Sequence, residues 1–188
     1  SVEGLINAPK LTSEQSEIHQ ALIESVGSNI TLKYPKNGEY RSAYVIANID
    51  DEPTDEAMVF YEYTSNGSEE DGLRVNILDK DEDGKWYSVK ELAGAGTDID
   101  QVIISPMGSN NQTDVFVGYQ NLTNDEKTIE IYSYTDGDFK RVALDTYSVL
   151  EPLDINNDGY IELITIQRST NNDTGAVTAK ASMLNMKN

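Results

Sequence analysis

The chain has 188 residues, of which 38% are hydrophobic, and its 33 acidic and 14 basic residues give a formal net charge of −19. This length is enough to bury the core of one ordinary domain, and the negative field argues against nucleic acid or an anionic membrane surface as a partner. The chain has no cysteine, which excludes disulfides, thiol catalysis and cysteine-bound zinc. No apolar run approaches the roughly 20 residues of a membrane-spanning helix, so we expect no membrane insertion of this segment.

The negative charge is concentrated in one part of the chain. Residues 50–83 contain thirteen carboxylates against only Arg74 and Lys80. Such a field attracts cations, although a solvated acidic face that keeps the protein soluble is the simpler interpretation.

The first predicted element is a helix that begins after Thr12. Thr12 and Gln15 fit the pattern of a capping box, apolar residues then recur at helical spacing, and Gly27 is expected to end the helix. A short strand over residues 30–34 follows. We therefore assign residues 1–40 to an N-terminal helix and a lead-in strand.

From residue 41 onward the sequence predicts short β-strands in three similar units, residues 41–93, 99–143 and 146–188. The first two units each contain an Asp-Gly turn followed by an aromatic residue. Repeated units of four strands are typical of β-propeller blades. We expect one structural domain that is mainly β, a partial or irregular propeller-like array of about three four-stranded antiparallel sheets with one N-terminal helix. An ordinary sandwich or meander is the alternative, because its strands have the same spacing.

Three units are too few to close a ring, because propellers typically have at least four blades. The third unit also lacks a clear fourth strand before residue 188. The sequence therefore predicts part of a larger propeller or an open stack of sheets, in which the first or last sheet has an unpaired, partly apolar edge. The strand over residues 30–34 or the helix after Thr12 is expected to cover an edge if the domain stands alone. The chain starts at Ser1 without a signal peptide, so we expect a mature or trimmed form.

The most specific motif occupies residues 154–162, between two apolar strands. Positions one, three, five, seven and nine offer oxygen atoms as metal ligands. These residues are Asp154, Asn156, Asp158, Tyr160 and Glu162, and Tyr160 at position seven contributes its backbone carbonyl. Glycine at position six permits a tight wrap, and calcium prefers six to eight hard oxygen ligands. We therefore predict that these five residues bind Ca²⁺. An Asx-rich turn without an ion is the alternative, and the absence of Glu at position twelve excludes an EF-hand.

Other candidate sites are less specific. Residues 79–84 have the same opening pattern, but Tyr87 stands at position nine, so we predict a hairpin turn there. His19 is the only histidine, which excludes a histidine-based triad and a multi-histidine metal site. A carboxylate pair for glycoside hydrolysis needs no histidine. Exposed aromatic residues would suit a sugar or protein platform, although core packing is the simpler explanation for the eleven tyrosines.

The repeats and the loop of residues 154–162 resemble the FG-GAP or VCBS-like repeats of integrin-like β-propellers, over residues 44–188 as a repeat pattern. In those repeats an Asp-x-Asn-x-Asp-Gly-x-x-Asp loop joins the first two strands of a blade. The equivalent positions are Asn48, Asp50, Glu52 and Glu56 in the first unit, with Pro53 in place of glycine, and Ser105, Met107, Ser109 and Thr113 in the second. The family's Phe-Gly and Gly-Ala-Pro segments are absent, and Glu162 stands where Asp is usual.

The segment from the helix through residues 32–35 and 41–44 also resembles surface lipoproteins of Gram-positive bacteria that carry such repeats. This resemblance implies an extracellular or cell-surface location, with a lipid anchor upstream of this segment. The expected function is therefore a non-catalytic extracytoplasmic domain with a structural calcium loop that binds a protein or glycan ligand. The alternatives are a carbohydrate-active hydrolase that uses a carboxylate pair and a structural spacer of a larger surface protein.

Overall fold

The computed structural model describes residues 10–64, 72–107, 112–121 and 126–185. Within these ranges the chain forms one helix, α1 (Ser13–Val26), and twelve β-strands. The strands, in chain order, are β1 (Ile30–Leu32), β2 (Tyr44–Ala47), β3 (Glu56–Tyr63), β4 (Leu73–Lys80), β5 (Trp86–Ala93), β6 (Asp98–Met107), β7 (Gln112–Gln120), β8 (Lys127–Thr135), β9 (Asp138–Tyr147), β10 (Val149–Leu153), β11 (Glu162–Thr170) and β12 (Val177–Asn185).

The strands form three antiparallel sheets, none of which closes into a barrel. The first sheet contains β1–β5, the second contains β6–β9 and the third contains β10–β12. The second sheet has the predicted four strands, and the described part of the third has three. The fold is therefore mainly β, with one helix and a partial β-propeller-like array of sheets, as the sequence predicts.

Two short strands share one edge of the first sheet. β2 pairs with the first half of β3, and β1 pairs with the second half, where Ile30 lies opposite Tyr63. Hydrogen bonds from Phe60 N to Ala43 O (3.0 Å) and from Lys33 N to Phe60 O (2.9 Å) bridge the two strands. The predicted lead-in strand is therefore part of the first sheet, where it completes the edge that β2 leaves open.

Helix α1 covers the outer face of the first sheet. It begins with the predicted capping box, in which Gln15 N donates to Thr12 Oγ1 and Thr12 N donates to Gln15 Oε1, both at 3.1 Å. It ends at Gly27, whose φ of 85° favours glycine. Ile18 and Leu22 are fully buried against the first sheet. No helix in the described ranges is long and apolar enough to cross a membrane.

The sheets pack in layers because side chains alternate between the two faces of each strand. One core joins the first and second sheets and includes Met58, Val75 and Val117. A smaller core joins the second sheet to the third and includes Phe116 and Leu163. The order of the layers is therefore α1, first sheet, second sheet, third sheet.

The third sheet has one face with no packed layer in the described ranges. Leu163 points toward the second sheet, so its neighbours Ile164 and Ile166 point away from it. Ile164 pairs with Met183, which is 56% exposed, and β12 has no strand on its outer side among the described residues. Among the described residues β12 is thus an edge strand with exposed apolar side chains at Val177 and Met183, whereas the sequence predicts an unpaired, partly apolar edge on the first or last sheet.

Candidate functional site

The two loops that resemble calcium loops occupy equivalent places in their sheets. Residues 48–55 join β2 to β3, and residues 154–161 join β10 to β11. Each loop therefore connects two strands that are adjacent and antiparallel in their sheet. The corresponding second-sheet loop includes residues 108–111, which lie outside the described residues. We refer to residues 48–56 as the first loop and to residues 154–162 as the third loop.

Backbone N–H groups of the third loop donate to its own side chains. Asp158 N donates to Asp154 Oδ1 at 3.1 Å and to Asn156 Oδ1 at 2.9 Å. Gly159 N donates to Asp154 Oδ2 at 3.0 Å, and Tyr160 N donates to Asp158 Oδ1 at 3.0 Å. The positive φ of 88° at Gly159 permits this tight path. The loop therefore wraps around the oxygens of positions one, three and five.

Glu162 closes the third loop from the start of β11. It is only 4% exposed, whereas residues 154–159 are exposed. Its Oε2 accepts Ile155 N at 2.9 Å, and its Oε1 accepts Asn156 Nδ2 at 3.2 Å. The structure thus brings four of the five predicted ligands together through side-chain bonds within one loop. The fifth, Tyr160, lies in the same loop as the predicted carbonyl donor.

The third loop has the donor chemistry that calcium prefers, since Asp154, Asp158 and Glu162 contribute carboxylates and Asn156 contributes an amide oxygen. No group of three or more His, Cys, Asp or Glu side chains in the described ranges is already arranged to hold a metal ion. In the third loop the Asn156–Glu162 hydrogen bond joins the side chains of positions three and nine. An ion would bind Asn156 through Oδ1, the oxygen that accepts Asp158 N, and not through the Nδ2 that donates to Glu162.

The first loop has two hydrogen bonds in common with the third. Glu56 Oε2 accepts Ile49 N at 2.7 Å, as Glu162 accepts Ile155 N. Asp50 Oδ1 accepts Glu52 N at 2.7 Å, as Asn156 accepts Asp158 N. The two loops therefore share the same local fold at positions two, three, five and nine, although their sequences differ.

The two loops differ at position six, which is Pro53 in the first loop and Gly159 in the third. Pro53 has no N–H, so it cannot donate to position one as Gly159 does in the third loop. Asn48 at position one instead donates its own Nδ2 to Glu52 O at 2.7 Å. Two side-chain oxygens of the first loop, Asn48 Oδ1 and Glu56 Oε1, are buried and have no hydrogen-bond partner among the described residues.

Burial also perturbs the carboxylates of the first loop. Desolvation raises the pKa of Glu56 to about 7, and the nearby charges of Asp50 and Asp79 add to this rise. The pKa of Asp50 is raised as well, mainly by burial. Asp79 belongs to β4, so a residue outside the first loop contributes to its electrostatics. Sequence spacing singles out Asp79 only as the start of the pattern at residues 79–84. Its position beside the first loop depends on the pairing of β3 with β4.

The remaining candidates have structural roles in the described chain. Residues 81–85 form the predicted hairpin turn between β4 and β5, with Gly84 N donating to Asp81 O at 2.8 Å. His19 Nδ1 lies 2.8 Å from the hydroxyl of Tyr44, at the contact of α1 with the first sheet. Four tyrosines rank among the largest fully buried side chains, which supports core packing for them: Tyr61, Tyr119, Tyr132 and Tyr147.

Comparison with known proteins gives no match. No family model, no curated protein and no solved structure matches the chain. Any function must therefore be argued from the loops and surfaces described above.

Proposed function

We propose that this chain is a non-catalytic extracytoplasmic surface domain whose third loop binds one structural Ca²⁺ ion. The observation that carries this proposal is the hydrogen bonding of the third loop. Its backbone N–H groups hold Asp154, Asn156 and Asp158 in one turn, while buried Glu162 closes the turn from β11. Oxygen donors fixed in this way match the preference of calcium for carboxylate, amide and carbonyl ligands.

The ion would act on the fold and not on a substrate. It would neutralise most of the charge of Asp154, Asp158 and Glu162, and it would tie the end of β10 to the start of β11. Residues 154–159 are exposed to solvent. Such an open loop is consistent with the affinity of extracellular calcium modules, which bind calcium with a Kd of about 10⁻⁴ to 10⁻³ M. An extracytoplasmic location, together with the resemblance to surface repeats, is therefore part of the proposal.

The proposal also includes a protein ligand, for which the open face of the third sheet is the supporting observation. Residues that share this face through the register of β10, β11 and β12 are Val149, Glu151, Leu153, Glu162, Ile164, Ile166, Arg168, Thr170, Val177, Ala179, Ala181 and Met183. Exposed apolar patches mark interaction surfaces. The face has no aromatic side chain on which a sugar ring would stack, so a protein fits it better than a glycan.

The calcium proposal is tested by thermal unfolding with calcium and with chelator. A Kd in the extracellular range predicts that 10 mM calcium stabilises the fold by about 1 to 3 kcal/mol, or roughly 3 to 10 °C in Tm. Asp158→Ala is expected to remove most of this rise. Asp173→Ala is the matched control, because it removes another exposed carboxylate, from the turn between β11 and β12. The same Tm with calcium and with chelator in the unchanged protein would refute the proposal.

A further inference from the structure

The first loop contains buried oxygen atoms that the described chain does not satisfy. Asn48 is 8% exposed and Glu56 is 0% exposed, and each has one oxygen without a hydrogen-bond partner among the described residues. Both side chains lie inside the loop, since Asn48 Nδ2 donates to Glu52 O and Glu56 Oε2 accepts Ile49 N. Leaving a buried acceptor unsatisfied costs about 1 to 3 kcal/mol, and more for a charged group.

We propose that the first sheet holds a second divalent-cation site, formed by Asn48, Asp50 and Glu56 of the first loop and completed by Asp79 of β4. This inference does not depend on the third-loop proposal, because the two sites share no residue.

The three carboxylates of the proposed site, Asp50, Glu56 and Asp79, have no cationic partner within 4.0 Å in the described ranges. Asp50 and Asp79 are only 6% and 9% exposed, and Glu56 is fully buried. None of the ion pairs in the described ranges includes any of these three carboxylates. Buried charges are normally paired or bound to a metal, because desolvating an isolated carboxylate is costly. A bound cation would supply both the missing charge and a partner for the two free oxygens.

Asp79 reaches the site through sheet pairing. Ala57 pairs with Leu78, so Asp79 lies across from Glu56 where the β3–β4 ladder ends. Its Oδ1 accepts Lys80 N at 2.6 Å, and its Oδ2 accepts the hydroxyl of Tyr87 at 3.3 Å. These bonds hold the carboxylate at the wall of an open groove of about 650 Å³ that Glu52 and Thr54 also line. The groove is open to solvent, so an ion can reach Asp79 from it.

The donor set identifies the chemical class of the ion. All candidate ligands are carboxylate or amide oxygens, which suit hard cations such as calcium and magnesium. Calcium accepts irregular coordination, whereas magnesium requires nearly ideal octahedral geometry. A loop that has Pro53 in place of glycine and draws one ligand from another strand fits calcium better.

The test counts bound calcium by equilibrium dialysis in the whole chain and in two matched variants, Glu56→Gln and Glu162→Gln. Each variant replaces the position-nine carboxylate of one loop by an amide of the same shape. Two sites predict about two ions per chain in the unchanged protein and one ion in either variant. Magnesium is dialysed in parallel, and preferential binding of magnesium at the first loop would contradict the calcium assignment.

Asp79→Asn provides a second test that leaves the first loop itself unchanged. It is expected to weaken or abolish binding at the first site, whereas Asp83→Asn, an exposed change in the same hairpin, is expected to leave the count at two. A count that neither Glu56→Gln nor Asp79→Asn lowers would overturn the second site. If the only ion is lost in Glu162→Gln, the third-loop proposal stands and this one falls. If the only ion is lost in Glu56→Gln alone, the first-loop site stands and the third-loop proposal falls.

Discussion

Asp114 is a buried carboxylate in the middle layer of the fold. It lies on β7, is 3% exposed, and burial raises its pKa from 3.8 to about 6. The folded protein therefore binds this proton more tightly than the unfolded chain does. As pH rises from about 4 to 7 the proton is lost, and the free energy of unfolding is expected to fall by up to about 3 kcal/mol from this group.

Asp114→Asn is expected to remove this part of the pH dependence, because the amide does not ionise. Denaturant unfolding at a series of pH values, in chelator so that neither loop holds an ion, measures the effect. Other carboxylates whose pKa is raised, such as Glu130, contribute equally to the pH dependence of both proteins. The exposed change Asp173→Asn serves as control. Equal pH slopes for Asp114→Asn and the unchanged protein would show that Asp114 is ionised at no cost.

At the same scale, the two loops show what sequence spacing can and cannot predict. The third loop was found because all its predicted ligands lie within nine residues, with glycine at position six. The first loop has Pro53 at that position, so its sequence does not match the glycine pattern. Glu56 nonetheless accepts a backbone N–H of its loop in the same way as Glu162 does. Spacing marks Asp79 only as the start of the pattern at residues 79–84, which predicts a hairpin turn. That Asp79 lies opposite Glu56 follows only from the antiparallel pairing of β3 and β4.

At the scale of the elements, Gly118 of β7 leaves room for the side chain of Tyr147, which reaches it from β9 on the far side of β8. A Cβ atom at this position would collide with the hydroxyl of Tyr147 and lie 3.1 Å from its Cζ. That hydroxyl donates to Asp100 Oδ2 at 2.7 Å. Gly118→Ala is therefore expected to cost about 3 to 5 kcal/mol in the free energy of unfolding, from overpacking and from loss of a hydrogen bond to a charged group.

A double-mutant cycle separates the two causes. Tyr147→Phe removes the hydroxyl that a new Cβ would meet, so Gly118→Ala is expected to cost less in that background than in the unchanged protein. Denaturant unfolding of all four proteins gives the coupling energy. Strictly additive effects would mean that Gly118→Ala acts without involving Tyr147.

Elements with local signals were predicted well, and elements that depend on distant pairing were not. Helix α1 has its capping box and its terminal glycine in sequence, and the β4–β5 turn has its Asp-Gly pair. The membership of β1 in the first sheet depends on β3, some 30 residues further along the chain. Hydrophobic spacing cannot show that two short strands share one edge.

The layered arrangement makes the stability of the whole molecule uneven. The central strands β3 and β7 have a neighbour on each side and bury most of their described side chains. In β12, no described side chain from Val177 to Leu184 is buried, and the strand pairs only with β11. Amide groups of β12 are therefore expected to exchange with solvent much faster than those of β7, which hydrogen-exchange mass spectrometry measures.

The exchange experiment is performed in calcium and in chelator. Calcium at the third loop would slow exchange at the ends of β10 and β11 while leaving β12 the least protected strand of its sheet. Equal protection of β12 and β7 in the chelator sample would contradict the gradient, and would indicate that another molecule covers the third sheet under those conditions.

The position of α1 also determines at which end of the array a further sheet can pack. In a ring of blades, each sheet presents both faces to neighbours, so the first and last blades must meet. Here the side of the first sheet where a last blade would dock is already filled by Ile18, Ala21 and Leu22. Additional sheets can therefore extend the array only beyond the third sheet, and closure of a circle would require the helix to move away or to act as a wedge between the two end blades.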